Sequence, residues 1–406
     1  MKTIQEIIDY DLLAPVSNFN RRELVSSTGA AYTDREGNEY IDLNEMCIVL
    51  GQKNQGFSSA MKQALDGFTN HKTGFSSAKE DLYRCLDKTT KGNFKAVHLM
   101  TSGSEAIEWA VTLAKKMTGR SEIISFWNSI HGRTYLSRSM SGLPRRKAGL
   151  GALPPGVVLT PYPRCAHCEQ KEKCTGGCYP CLEFTKQQYR YGTAQDGACV
   201  IIEPFQGACI DIPEPGYFQA LYKWAKEQGM LFILDENQSC CGRAGDYYNF
   251  ERLGIVPDIL VLGKGLGNGF HISAILLKEL PEKEVLPSLA GGVGDDTLCC
   301  AAAAQVFHQL EDGLLEHINK VGAVMKESLL PLKNSDRVLD VRTIGLAGAI
   351  EYKKADDCTA VYKALSSEGF FVGHVENCIT LKPPYVITAD QLQRFAQAVI
   401  RITDQL

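Results

Sequence analysis

The chain has 406 residues, 44% apolar and 22% charged, a balance that allows a sizeable core and excludes disorder. Lys plus Arg number 43 against 47 Asp plus Glu, a net charge of −4, which gives no footprint for nucleic acid or anionic lipid. No apolar run reaches the roughly 18 residues of a membrane span, and the opening MKTIQEIIDYDLLAP is too acidic for a signal peptide; a cytoplasmic protein with no nucleic-acid and no membrane partner is expected.

In chain order, Asp34-Arg35-Glu36-Gly37 reads as a turn between strand-like runs, and that hairpin is expected to pack on a small C-terminal domain. Residues 97–100 are apolar and lead through Thr101-Ser102-Gly103-Ser104 into helix-like periodicity over 105–117. Apolar runs at 122–126, 198–202, 230–234 and 259–262 read as buried strands, with a helix over 217–227 between the second and third. Short buried strands alternating with amphipathic helices predict an α/β layer with a mostly parallel sheet. Ligands of such sheets bind beyond the carboxyl ends of the strands, where Glu203, Asp235 and Lys264 fall. Residues 143–195 are rich in Pro, Gly and Cys and read as a long functional loop. A long helix over 297–319 leads to α/β segments near 348–352, 370–375 and 378–381. The expected division is an N-terminal segment (1–50) packed with the small domain, a large ligand-binding domain (51–305) with a Cys-rich insertion at 143–195, and a small C-terminal α/β domain (306–406).

Three features carry chemistry. The Ser-Gly-Ser turn at 102–104 opens a helix with free N–H groups, which suits a phosphate as well as a plain cap. Asp235, at a strand end, can pair with a cationic ring nitrogen, or simply serve as a cap or one half of a buried salt bridge. Lys264, between Gly263 and Gly265, can form a Schiff base if desolvated, or sit solvated in a loop. No Gly-Lys-Ser or Gly-Lys-Thr occurs, so this is no Walker loop. Together the three ask for a phosphate, a ring nitrogen and an aldehyde on one ligand, and pyridoxal 5'-phosphate has all of them.

At this point the chain resembles the class III aminotransferases, of the aspartate-aminotransferase fold. The resemblance runs from about Gly29 to the last helix and rests on residues 101–106, His131-Gly132-Arg133-Thr134, Ile202-Glu203-Pro204-Phe205-Gln206-Gly207, Asp235-Glu236-Asn237-Gln238, Cys241-Gly242-Arg243-Ala244-Gly245 and Pro257-Asp258-Ile259 on to Lys264. It implies that Gly103 and Ser104 hold the phosphate, Asp235 the pyridine nitrogen and Gln238 the ring hydroxyl. Asn237 would lie under the ring, and Glu203 would support the site from behind. Lys264 would carry the cofactor and shuttle the proton.

Departures from the family pattern are also informative. Ile130 stands where an aromatic ring usually covers the cofactor, and Trp127 is the alternative. The Thr that usually reaches the partner subunit's phosphate matches Gly292, with Thr297 as a substitute. The usual Gln-Gly-Glu is Gln206-Gly207-Ala208, and the C-terminal Arg three residues before Pro-Pro is Thr380, with Lys382 two positions on. The resemblance implies a homodimer acting on small-molecule or peptide-end amines and carbonyls, at least one without a carboxylate on its reacting carbon. A racemase, epimerase or aminomutase is the alternative outcome of the same cofactor, and an inactive metal-stapled interaction protein is the alternative of another class.

The chain holds 15 cysteines, including Cys240-Cys241 and Cys299-Cys300, and no disulfide framework is expected. Cys165, Cys168, Cys174, Cys178 and Cys181 cluster with His167 among them. Two C-x2-C pairs around a fifth cysteine suit zinc or an iron–sulfur cluster, or make up a reduced metal-free loop.

Overall fold

In the computed structural model, which describes residue 6 and residues 23–67, 75–174, 178–286 and 295–406, seven strands build a central sheet. Across it run Ala96–Met100, Ser273–Leu277, Ile259–Leu262, Leu231–Glu236, Gly197–Ile202, Glu122–Phe126 and Val157–Thr160. Ser273–Leu277 is antiparallel to both neighbours, and the other pairings are parallel. Both faces are covered, which is why these strands read as unbroken apolar runs. Cys199 and Ile201 join Ile233, Val261 and Ile275 in one core. Val200 and Ile202 join Phe232, Leu234, Leu260 and Leu262 in the other.

Helix Gly103–Thr118 covers the first face. Ser102 caps it by accepting the Glu105 N–H, and Gly119 ends it in the left-handed conformation with φ 67°. Ala106, Ile107, Ala110, Val111, Leu113 and Ala114 are its buried side, spaced at three and four residues as one helix face requires. Burying Ile107, Val111 or Leu113 contributes about 1.5–3 kcal/mol each. Packed on the sheet, this helix fixes its own N-terminus at the strands' carboxyl ends.

Two further sheets flank this layer. The N-terminal hairpin joins Ala31–Asp34 to Glu39–Asp42, and Glu39–Asp42 also pairs in parallel with Phe370–Phe371. Its turn closes where the Asn38 N–H donates to the Asp34 carboxylate at 2.8 Å and Gly37 takes φ 87°. The third sheet runs Val338–Ile344, Ala347–Tyr352, Cys378–Leu381 and Gly373–Val375, all antiparallel.

Two sequence expectations need correction. The segment 143–195 is not structureless: it contributes Val157–Thr160 at the sheet edge and helix Pro180–Gly192. Its β-branched Val157-Val158 pair and the Pro180 helix start are the local reasons. The helix expected over 297–319 is broken, because Gly313 has φ 92° and Asp312 leaves the helical region. Thr297–Gln309 and Leu315–Leu329 are therefore separate helices. All fifteen cysteines lie outside disulfides. Among the described residues no helix is long and apolar enough to cross a membrane.

Arg243 ties these layers together. Its guanidinium is buried and donates to the carbonyls of Leu346 at 3.0 Å, Pro383 at 2.5 Å and Glu45 at 3.2 Å, with the Tyr385 ring 4.7 Å away. One side chain thus satisfies three carbonyls from distant segments. Arg243→Ala orphans them and leaves a cavity, so it should cost about 3 kcal/mol or more. Urea unfolding followed by far-ultraviolet dichroism checks this, and Arg243→Lys should recover only part of the loss because it lacks the planar fork.

Candidate active site

The ends of four strands and the Gly103–Thr118 helix converge on a cavity of about 500 Å3. Ser102, Gly103 and Ser104 line it at the helix N-terminus, where N–H groups have no helical acceptor. Ser102 is the helix cap, whereas the Ser104 hydroxyl accepts the Arg133 N–H at 3.0 Å. Ser104 therefore pins the 131–133 segment over the helix start.

Asp235 lies at the end of Leu231–Glu236, only 3% exposed. Its Oδ2 shares a hydrogen bond with His131 Nδ1 at 2.8 Å. Its Oδ1 accepts the Asn237 backbone N–H at 3.0 Å and the Asn237 Nδ2–H at 2.7 Å. Burial pushes this carboxyl up, but the His131 hydrogen bond and charge, aided by Lys264, more than offset that and hold it below its ordinary value. His131 and Asn237 line the cavity above it.

Lys264 follows strand Ile259–Leu262 by two residues and lines the same cavity. Its φ is 41°, in the left-handed region, which a non-glycine residue occupies only at a cost. Gly103 lies so close to Asn237 that a Cβ there would come within 2.5 Å of its Oδ1, and one at Gly207 would come within 1.7 Å of Gln238 Nε2. Asn237 Oδ1, Gln238 Oε1 and His131 Nε2 are buried without a hydrogen-bond partner among the described residues. Glu203 sits behind the cavity and accepts the N–H groups of Ile130 at 3.0 Å and Gly207 at 3.1 Å. Burial and the neighbouring Asp235 raise its carboxyl to about 7 against the pull of His131.

The structure thus brings Gly103, Ser104, Ile130, Asn237, Gln238 and Lys264 to one cavity, with Asp235 and Glu203 directly behind. Trp127 is elsewhere: it is 45% exposed, donates to the Leu159 carbonyl and packs on Phe184. Thr297 is buried in the first turn of its own helix and does not line this cavity; Gly292 lies outside the described residues.

Lys382 does enter the site. It is 4% exposed, lines the cavity beside Thr380 and Ala208, and donates from Nζ to the Gly207 carbonyl at 2.9 Å. Burial, with Lys264 and Arg243 nearby, lowers it to about 7. Sequence reasoning misses the role of His131 as the partner of Asp235, although the residue stands in a quoted motif. It also misses Arg146, which lines the cavity with Arg133 and whose only signal is the Arg145-Arg146 pair.

The cysteine cluster forms a second place. Cys165, Cys168, Cys174 and Cys181 line a cavity of about 240 Å3, whereas exposed Cys178 does not. Among the described residues no three of the five bring their sulfurs within 4.8 Å of one another. His167 is committed to Glu351 at 2.6 Å.

Residues 15–403 match the Aminotransferase class-III family. An acetylornithine aminotransferase from Caldanaerobacter subterraneus subsp. tengcongensis is 29% identical, over 98% of this chain and 100% of that protein. The isoleucine 2-epimerase of Lentilactobacillus buchneri is 30% identical, over 98% of this chain and 93% of that one. The fold matches an amine transaminase from an uncultivated Pseudomonas species, solved in its PLP-bound form, with a TM-score of 0.85, 23% identity and 95% of each chain covered. With site geometry, sequence and fold in agreement, the chain belongs to the class-III aminotransferases, pyridoxal-phosphate-dependent enzymes of fold type I.

Proposed function

We propose that Lys264 and Asp235 are the catalytic pair of a transaminase whose amine substrate keeps its acid group away from the reacting carbon. The observation that carries the reading is a buried carboxylate held ionised by His131, with Lys264 close enough to act on its charge.

The residues present fit pyridoxal phosphate. The helix N-terminus at Ser102–Ser104 would take its phosphate, Asp235 its ring nitrogen and Gln238 its ring hydroxyl, the buried Gln238 Oε1 having no other partner among the described residues. Ile130 would pack on the ring, with Asn237 on the far side. Bound there, the cofactor supplies an electron sink for the bond broken at the substrate carbon. Lys264 would hold the cofactor covalently and later move the proton at that carbon. A cytoplasmic homodimer, with Thr297 offered to the partner's phosphate site, completes the reading.

Substrate choice follows from five side chains. Ala208 and Thr380 leave no carboxylate–guanidinium pair at the reacting carbon. Arg133 and Arg146 line the cavity, and among the described residues neither guanidinium has a hydrogen bond or ion pair. Lys382 is buried, and among the described residues its ammonium binds only a backbone carbonyl. Cations left unpaired favour a substrate acid at that end of the cavity.

We also propose a zinc or iron–sulfur site at Cys165, Cys168, Cys174 and Cys181, supported by their shared cavity. Its sulfurs would have to draw closer together on binding. If so, protein purified anaerobically without chelator carries metal in proportion to subunits, and Cys165→Ser with Cys168→Ser lowers it. Metal-free protein by elemental analysis would show that the segment is a thiol loop held by protein contacts.

Borohydride reduction followed by peptide mapping should label Lys264 and no other lysine. Lys264→Ala should keep cofactor noncovalently and lose about 10²–10⁴-fold or more in turnover. Asp235→Asn should be similarly crippled, since a neutral amide cannot hold the ring proton. Turnover that needs no second carbonyl substrate would instead indicate an epimerase.

Glutamate should convert the cofactor band at least tenfold more slowly than terminal amines bearing a distal acid, read by single-turnover absorbance. Lys382 is a cation below its pKa of about 7 and neutral above it. The kcat/KM for acid-bearing amines should therefore fall as pH rises through about 7, and Lys382→Met should remove that fall. Glutamate as the fastest donor, with Lys382→Ala ending the preference, would mean that Lys382 has replaced the missing arginine.

A further inference from the structure

Away from the cavity, helix Ser77–Thr89 packs beside helix Thr297–Gln309. Asp81 and Cys85 stand one turn apart on the first helix, and His308 faces them from the last turn of the second. The carboxylate of Asp81 bridges the other two: Oδ2 meets His308 Nε2 at 2.8 Å, and Oδ1 lies 4.0 Å from Cys85 Sγ. All three ligand atoms fall within 4.8 Å of one another, the one such group of His, Cys, Asp or Glu among the described residues.

We propose that Asp81, Cys85 and His308 form an interhelical site for a divalent transition metal of the zinc class. The donor set argues for that class. One thiolate, one imidazole and one carboxylate suit Zn2+ or Co2+, whereas Mg2+ and Ca2+ demand oxygen donors. Zinc bonds of about 2.0–2.3 Å place neighbouring ligand atoms about 3.3–3.8 Å apart. The recorded spacings bracket that range, so small side-chain rotations reach it. On binding, the Cys85 thiol gives its proton to solvent and Asp81 exchanges its hydrogen bond with His308 for a bond to the metal.

A fourth ligand is at hand. Glu311 follows His308 by one turn, and its negative charge reaches both Cys85 and His308. It is now paired with Lys88. That pair is exposed, with 67% of the Lys88 side chain and 53% of the Glu311 side chain open to solvent, so exchanging it for a metal costs little. A site made of Asp-x3-Cys on one helix, His308 in the last turn of the other and Glu311 just beyond its end would staple the two helices together, independently of cofactor chemistry.

Holoenzyme carrying Cys165→Ser and Cys168→Ser, which disables the other thiolate cluster, titrated with CoCl2 after chelator treatment provides the test, and the further variants are made in that background. One cobalt per subunit should bind, with a near-ultraviolet sulfur-to-cobalt band and visible bands of a tetrahedral ion in the difference spectrum, and ZnCl2 should displace it. Cys85→Ser should abolish the sulfur band. His308→Ala should weaken binding by more than the roughly 10–100-fold that outer-shell changes cause, and Glu311→Gln by about tenfold. His308 is 44% exposed, so His308→Ala should fold, and transaminase turnover and the cofactor band should persist in all three variants. The Cys165→Ser, Cys168→Ser double variant should retain the cobalt signal. Full signal after Cys85→Ser in the double-variant background, or no stoichiometric cobalt in the double variant itself, would each overturn the proposal.

Discussion

The site is organised around one constraint: a carboxylate buried at a strand end has to stay ionised. Desolvation alone would push the Asp235 carboxyl up, and a neutral acid could not hold the positive ring nitrogen proposed for it. His131 and Asn237 solve this together by occupying one carboxylate oxygen each. Each in turn is placed by something else. The His131 N–H is held by the Ser141 hydroxyl at 3.0 Å, and Asn237 sits two residues past Asp235, against Gly103 and Gly263. Even a methyl group on either glycine would displace Asn237 and with it the electrostatic balance. Glu203, buried nearby, has the opposite fate: its carboxyl rises to about 7 while Asp235 stays low. The difference follows from direct contact with His131, which Asp235 has and Glu203 lacks.

Much of this was legible in the sequence for a physical reason. Parallel strands buried on both faces leave unbroken apolar runs, and their carboxyl ends are where polar residues resume. Asp235 and Lys264 stand out because each directly follows such a run or is set off from it by one glycine. The Ser-Gly-Ser turn is readable because helix starts need acceptors for free N–H groups. Less legible were features that depend on meeting a distant segment. His131 becomes the partner of Asp235 only when strand Leu231–Glu236 lies two places across the sheet from Glu122–Phe126. Arg146 and the three carbonyl contacts of Arg243 belong to the same class.

Local pattern also misled in two places. Between Leu143 and Gln195 the density of Pro, Gly and Cys hides a four-residue edge strand, because short strands carry little periodicity. From Thr297 onward the apolar period continues through a break, and the single Gly313 is the only local sign that the chain turns there. Lys382 is an intermediate case. Alternation along Cys378–Leu381 puts it on the face of Thr380, and both do line the cavity. Its burial and its Gly207 partner could not be read from that alternation.

The loop that carries Ala208 shows how a wall of the cavity is kept rigid without a charge of its own. Gln206 and Asp211 form an isolated bridge, and between them Ile210 takes φ 52°, a costly conformation for a β-branched residue. Such strain persists only where the surroundings over-determine it. Here they do: Asp211 binds Arg164 at 2.8 Å, and Arg342 donates to the Cys209 carbonyl at 2.9 Å while pairing with Glu351 at 2.6 Å. His167 and Arg164 also reach Glu351, so the cysteine-rich segment is locked to the same buried charges. A deletion in that segment would therefore be felt first as slack in the cavity wall beside Gly207 and Ala208. The segment's place in the fold is thus tied to that cavity wall through Glu351.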